Sequence, residues 1–239
     1  MRVAQLWRYP VKSMQGESLD SIELDGERVP GDREWGVRDS VTGTVLTGRT
    51  AGALLHACAR IEGDAVCIEL PDGRPVRESD DQADLMLSSY VGQPVHLARA
   101  KTDEQASFAM PDARWRSMPG SFNDGNPIHI VTTASLRAAG SLHPDGVWDA
   151  RRFRPNIVID ADGDDFVEDE WISITIGQVR LDVFKRTTRC PMTARSQPGL
   201  DDDLMVLRTL TRNRDAKMGV YARVSATGRI SAGDDVTAA

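Results

Sequence analysis

The stretch "WISITIGQVRLDVFKRTTRC" constrains the fold of this chain most. Ile172, Ile174 and Ile176 alternate with other residues, Gly177-Gln178 interrupts, and Val179, Leu181 and Val183 resume the alternation. Successive side chains on a strand point to opposite faces, so a period of two gathers each apolar set on one side. Two such runs about a glycine-containing break predict paired strands. The pattern recurs in "EWGVRDSVTGTVLTGR" about Thr42-Gly43, in "ARIEGDAVCIELPDG" about Gly63-Asp64, and in "GVYARVSATGRISAGDDV" about Thr227-Gly228. "VAQLWRYPV" reads as an early strand stopped at Pro10; "PVHLARA" and "FRPNIVID" add two more.

Helix signals are fewer. "DQADLMLSSYVG" has an acidic start and a glycine stop, and "PIHIVTTASLRAAG" runs from strand into a helix that Thr132 or Thr133 caps. "DDDLMVLRTLTR" presents Leu204, Leu207 and Leu210 behind an acidic N-terminus. Lys101–Asn126, with Pro, Gly, Ser and Asp throughout, reads as a linker or long surface excursion between two halves. Many short strands without a βαβ rhythm predict a mixed α+β, predominantly β architecture of barrel type. The expected division is 1–100 and 101–239.

Charge and motif content exclude several functions. A net charge of −7 over 239 residues argues against non-specific nucleic-acid binding but leaves room for a local anion pocket. No apolar run is long enough to span a membrane and the N-terminus lacks a signal-peptide core, so the expectation is a soluble cytoplasmic protein. Three cysteines, Cys58, Cys67 and Cys190, form no disulfide pattern and fit a reducing compartment. His56, His96, His129 and His143 are scattered without zinc-ligand spacing. GxGxxG, GxxxxGK[ST] and GxSxG are absent.

Cys190 stands apart. The window Lys185–Arg195 holds Lys185, Arg186, Arg189 and Arg195 and no acid. Pro191 biases Cys190 toward extended backbone and donates no ladder bond, which places the thiol at a strand end. If strand parity holds, Thr188 shares its face. Nearby cations lower a thiol pKa, and the thiolate is the form that attacks electrophiles or binds soft metals. A structural cysteine in a basic turn, a nucleophile without a sequence-local histidine, and a soft-metal ligand are all compatible with this window. "RRFRPN" and "YPVKSM" are further cationic clusters at strand ends, and three together suit an anionic ligand.

These clusters, with "VAQLWRYPVKSMQG", "GDREWGV", "LTGR", "RFRPNIVID", "RTTRCPMT" and "GVYARV…GRISAGDDV", resemble the MOSC proteins. The resemblance is to the branch with an N-terminal β-barrel domain, which includes the mitochondrial amidoxime-reducing component and its bacterial relatives. It implies an N-terminal barrel-like domain over 1–100 and a MOSC β-barrel domain with few short helices over 101–239. It also implies a molybdenum cofactor, Mo-molybdopterin, ligated through the thiolate of Cys190. Lys12, Ser13, Arg33, Arg154, Asn156 and Thr188 match the family's pterin and phosphate contacts, and Thr132 and Thr133 occupy a strand-to-helix turn where further contacts fall.

The activity so implied is two-electron reduction of N-hydroxylated small molecules: hydroxylamines, amidoximes and N-hydroxylated bases. Electrons would come from a separate ferredoxin- or cytochrome-type donor with its reductase, because no ferredoxin domain follows. No nucleic acid or membrane partner is expected. Asp164 or Asp165, in "DADGDDFVED", is a candidate proton donor. The tract "ARSQPGLDDD" after Cys190 departs from the family's Asp-rich pattern and would alter substrate access or local shape. The alternatives are a non-catalytic carrier of cofactor or sulfur and a reductase of one biosynthetic intermediate.

Overall fold

In the computed structural model, which describes residues 1–110, 116–124 and 126–239, the alternating runs become strands. In chain order they are β1 (Arg2–Arg8), β2 (Glu17–Leu19), β3 (Ser21–Leu24), β4 (Trp35–Asp39), β5 (Cys58–Glu62), β6 (Ala65–Glu69) and β7 (Pro75–Arg77). Helix α1 (Ala83–Val91), β8 (Val95–Arg99), β9 (Ile128–Thr132), α2 (Thr133–Leu142) and β10 (Ile157–Asp160) follow. The chain ends with β11 (Ser173–Ile176), β12 (Val179–Thr188), α3 (Leu204–Arg214), β13 (Lys217–Ala226), β14 (Gly228–Ser231) and β15 (Val236–Ala238). The fold is mostly β, as the sequence pattern requires. No helix of the described residues is long and apolar enough to cross a membrane.

The chain divides into two compact units, and each gathers separated stretches. One comprises Met1–Trp7, Ser18–Pro30 and Asn126–Ala239; the other comprises Arg8–Glu17 and Gly31–Gly125. In the first, the sheet runs β15-β11-β12-β13-β9-β10-β1-β2. This ladder does not close into a complete barrel. Backbone bonds nevertheless join the start of β1 to the approach to β15: Val3 N–H donates to Asp234 O (2.9 Å) and Gly233 N–H to Val3 O (2.8 Å). Ile128, Ile130, Ile157, Ile159, Ile174, Ile176, Val179 and Leu181 bury their side chains in its core. β1 buries Val3 and Leu6, three apart, because a register shift between Val3 and Gln5 interrupts its alternation.

β9 is buried at every position and pairs parallel with β10, with α2 as the crossover between them. A parallel pair needs such a connection, so the fold contains one β–α–β unit in a sheet where the pairings of β1 with β10, β9 with β13, β13 with β12, β12 with β11 and β11 with β15 are antiparallel. Two apolar positions differ from the expected faces. Ile172 lies before β11 and is 74% exposed, while Ile174 and Ile176 are buried. On α3 the buried residues are Val206, Thr209 and Leu210, and Leu204 is 64% exposed. The spacing 206, 209, 210 also satisfies a helical face, and packing against the sheet selects it over 204, 207, 210. β13 and β14 do not form the expected hairpin: β14 pairs antiparallel with β3, with Ile230 opposite Ile22.

The second unit holds the β5-β6-β7 sheet, the β4-β8 pair and α1 around Trp35, Val37, Leu54, Ile68 and Leu87. The Gly63-Asp64 hairpin forms as the pattern predicts. The Thr42-Gly43 turn also forms, but its second arm is reduced to one bridge, Arg38 to Val45, and the ladder partner of β4 is β8. Lys101–Asn126 is not a surface excursion where it is described (residues 111–115 and 125 lie outside the described residues). Phe108 and Phe122 are buried with Val45 and Ala106 in a small core of their own. Gly36 admits this insertion, since a Cβ there would stand 2.9 Å from the Phe122 ring. Phe122→Ala should therefore cost about 3–5 kcal/mol, the range for deleting a buried aromatic. Urea unfolding measures the loss, and a change below about 1 kcal/mol would restore the reading of this stretch as a loose connector.

Candidate functional site

Cys190 sits two residues beyond the end of a long strand. β12 ends at Thr188, and Cys190 takes extended backbone (φ −128°, ψ 172°) as the N-cap of a 3-10 turn, Pro191–Ala194. This is the geometry that a following proline imposes. Its carbonyl accepts from Thr193 N–H (3.1 Å) and Thr193 Oγ1 (3.0 Å), which closes the turn. The thiol is in no disulfide and the residue is half-buried. By contrast Cys67 is fully buried, and desolvation pushes its thiol pKa up. Cys58 directs its thiol to Gly16 O (3.6 Å).

The cations of "RRFRPN" and "RTTRC" lock these two segments together. Arg152, 2% exposed, donates through Nε to Val147 O (3.0 Å), through Nη1 to Thr193 O (3.3 Å) and Arg195 O (3.4 Å), and through Nη2 to Asp201 O (2.8 Å). Burial lowers its pKa, and Asp203 and Asp149 oppose that shift. Arg151 pairs with Asp149 and reaches Pro198 O (3.1 Å). Four carbonyls of the segment after Cys190 are thus held by two neighbouring arginines. Arg189 donates Nη2 to Phe153 O (2.7 Å), and its Nη1 lies 3.3 Å from His129 Nε2.

His129, on β9, links the motifs from below. Its Nδ1 lies 3.4 Å from Arg154 O, so the neutral tautomer with hydrogen on Nδ1 serves both contacts. Gly219, at φ +77°, makes room for it: a Cβ would stand 2.5 Å from Ile130 O and 2.6 Å from His129 Nε2. Asn156 is buried, with Oδ1 accepting from His129 N–H (3.1 Å) and Nδ2 donating to Trp7 O (3.4 Å), so its amide ties β9 to β1. Arg154 is also buried and holds a left-handed backbone, φ 55°. Thr188 is exposed at the end of β12, while Thr187 faces inward, fully buried.

Thr132 and Thr133 serve the helix they precede. Thr132 is fully buried; its Oγ1 accepts from Ser135 N–H (3.0 Å) and donates to Glu168 Oε2 (2.6 Å). Thr133 Oγ1 donates to Asp160 Oδ1 (2.7 Å) and accepts from Ala161 N–H (3.1 Å). Asp164 and Asp165 are exposed on the turn after β10, and Asp165 accepts from Phe166 N–H. In the other unit, Lys12 is paired with Asp124 and lies 4.5 Å from the centroid of Phe108. Ser13 (φ 69°) accepts on Oγ from Gly48 N–H (2.8 Å), and Arg33 (φ 55°) pairs with Asp32 and lies over the Tyr9 ring.

Three of the five described non-glycine residues with positive φ are therefore Ser13, Arg33 and Arg154, each named in advance from the sequence as a cofactor contact. The other two, Asp215 and Ala216, end α3. Sequence reasoning missed Arg152, Arg189 and His129 as the groups that fix the Cys190 segment, and it missed Glu168. That carboxyl is buried at the N-terminus of α2, where Ser135 Oγ also donates to it (2.6 Å). Its place in an acidic run hid it, because only the neighbouring Val167 and Trp171 hint at burial.

Comparisons with known proteins identify the family of the chain. The chain matches the MOSC domain over residues 118–237 and the MOSC N-terminal beta barrel domain over 1–109. It is 26% identical to mitochondrial amidoxime-reducing component 1 of Mus musculus over 95% of this chain and 76% of that protein. It is 24% identical to mitochondrial amidoxime reducing component 2 of Rattus norvegicus over 98% of this chain and 82% of that protein. A molybdenum cofactor sulfurase of Oryza sativa is 26% identical over 77% of this chain, which spans 27% of that longer protein. The YUAD protein from Bacillus subtilis shares the fold, with a TM-score of 0.52 and 12% identity over 98% of this chain and 93% of that one.

Two measurements probe the framework. Arg152→Met should destabilise the protein by about 3 kcal/mol, since it strands carbonyl acceptors that a charged donor held. It should also speed amide exchange over 193–203 more than elsewhere, and uniform exchange would refute the clamp. Burial raises the Glu168 carboxyl above its ordinary 4.5, against the lowering effect of the Ser135 and Thr132 hydroxyls. A raised folded value adds stability at low pH that is lost as pH climbs through it. Glu168→Gln should therefore gain on the wild type as pH rises from about 4 to about 8. Melting temperatures of both proteins over that range check the sign, and a wild type that gains instead would place the folded value below the ordinary one.

Proposed function

Since the chain belongs to the MOSC family, in the branch with the N-terminal beta barrel domain, we propose that it is a molybdenum-cofactor-dependent reductase of N-hydroxylated small molecules. The observation that carries this reading is the setting of Cys190. A half-buried thiol outside any disulfide ends a strand in extended backbone, on a turn whose carbonyls are held by Arg151 and Arg152. A thiolate is the soft donor that molybdenum takes, and a fixed backbone holds that donor in one place. The residues fit the cofactor in charge as well, since Arg154 supplies a cation in the segment packed under Cys190 that suits an anionic pterin phosphate, while Arg152 and Arg189 hold the backbone around it.

When bound, the cofactor supplies the two-electron chemistry of N–O reduction. The chain's own residues hold and orient. In this reading Cys190 is the metal ligand, and Arg154 presents cationic donors from a left-handed backbone that costs about 1–2 kcal/mol to maintain outside glycine. Asn156 and His129 fix the strands from which these groups project. Lys12, Ser13, Arg33 and Thr188 are proposed as further cofactor contacts on the resemblance of their motifs. Thr132 and Thr133 are proposed in a positioning role, through the cap of α2. Electrons are proposed to come from a separate donor protein, since each N–O reduction consumes two electrons that the chain's own residues do not supply.

Cys190→Ser, expressed in a host that makes the cofactor, should retain less than about a tenth of the wild-type molybdenum, because a hydroxyl is a poor replacement for a soft ligand. Metal analysis of the purified proteins decides it, and equal molybdenum in both would remove Cys190 from the centre. Reduction of an amidoxime by the loaded wild type with an artificial electron donor tests the activity. Loaded protein without turnover of any N-hydroxylated compound would leave a carrier of the cofactor as the better reading.

A further inference from the structure

Beside the Cys190 turn lies a groove that the framework above does not use. It has a volume of about 310 Å³ and runs between the 3-10 turn and α3, lined by Pro191, Ala194, Leu204, Leu207, Arg208, Thr211 and Arg212. That volume is at the lower end for small-ligand sites. Its lining includes the apolar side chains of Pro191, Ala194, Leu204 and Leu207, of which Leu204 is 64% exposed. Pro191, directly bonded to Cys190, forms part of its wall.

The groove is polarised along its length. Asp201, Asp202 and Asp203 lead into the Leu204 end, where Asp203 caps α3 through Met205 N–H (2.8 Å). Arg208 and Arg212 occupy the other end, four residues apart on one helix face, and α3 itself carries no acidic residue. Both are exposed, and neither is among the residues with an ion pair or hydrogen bond in the described structure. Arg212 is in the last turn, where a cation complements the helix dipole. Arg208 has no such explanation. Like charges at i and i+4 repel, and an anion lying across them removes that repulsion.

We propose that this groove binds a small amphipathic monoanion, with its carboxylate or equivalent group on Arg208 and Arg212 and a short apolar body over Leu207, Leu204, Ala194 and Pro191. Taken with the reductase reading, on which this assignment rests, the ligand is the substrate: an N-hydroxylated compound whose non-reacting part is apolar and carries one negative charge. The apolar body explains why leucines, rather than polar side chains, floor a groove beside the cysteine. The forked guanidinium geometry explains why the cations are arginines.

The test uses the full chain and octanoate, with octan-1-ol as the neutral partner of the same length, titrated by calorimetry. Octanoate should bind saturably and slow amide exchange in 191–195 and in α3. The double variant Arg208→Gln, Arg212→Gln should weaken octanoate at least tenfold while leaving octan-1-ol within twofold. Equal octanoate affinity in the double variant, or protection confined to other parts of the chain, would overturn the site. These readouts need neither molybdenum nor turnover, so a failed reductase assay leaves them standing as evidence for the groove. With active protein, a carboxylate-bearing amidoxime should show a KM at least tenfold lower than its neutral amide. That preference should vanish in the double variant; its persistence there would overturn the substrate assignment.

Discussion

Arg152 carries a guanidinium into the interior, and its donors end on the backbone carbonyls of Val147, Thr193, Arg195 and Asp201. Taking such a charge out of water costs several kcal/mol, and each charge-assisted bond returns only about 1.5–3 kcal/mol. The arrangement is therefore favourable only when its bonds form together. That couples residues far apart in sequence: the segment after Cys190 cannot loosen at Thr193 without weakening the hold on Asp201. Arg152 thus ties the Cys190 turn to the approach to α3, beside the backbone bond from Asp203 N–H to Ala194 O (2.8 Å). Arg151, through Pro198 O, and Arg189, through Phe153 O, extend the same device on either side.

This use of arginine changes what the basic clusters mean. A window of cations around a cysteine suggests thiol activation, yet much of the positive charge here is spent on carbonyls and on local carboxylates. Arg186 and Arg214 meet Asp169, and Arg33 meets Asp32. Among the described residues Arg208 and Arg212 have no such partner, and the groove they flank is the one proposed to take an anion. Ser13, Arg33 and Arg154 add a local backbone cost, since a left-handed conformation outside glycine is disfavoured by about 1–2 kcal/mol.

How much of this was legible in the sequence depended on the range of the interaction. Strand alternation at Ile174, Ile176, Val179 and Leu181 reports burial directly, and those residues are in the core. The extended backbone of Cys190 follows from Pro191, its immediate neighbour, and the cap of α2 follows from Thr132 at the strand-to-helix junction. Misplaced elements all involve a choice between faces or partners. Leu204 and Ile172 obey the apolar pattern but stand outside the packed face; β14 alternates properly but pairs with β3, not with the strand before it. Phe108 and Phe122 sit in a stretch whose composition is that of a loop, and two aromatic anchors outweigh it.

By itself the sequence determined the predominantly β class and the strand-end position of the cysteine, because each rests on residue types at short spacing, and its motifs along the chain carried the resemblance to the family. The tertiary structure decided which cations hold the framework, and it separated buried Glu168 from exposed Asp164 and Asp165 within one acidic run. The physical reason is that a guanidinium chooses among backbone carbonyls, and every residue has one. No residue type marks Thr193, Arg195 or Asp201 as an acceptor for Arg152, so only the folded chain can show that they are.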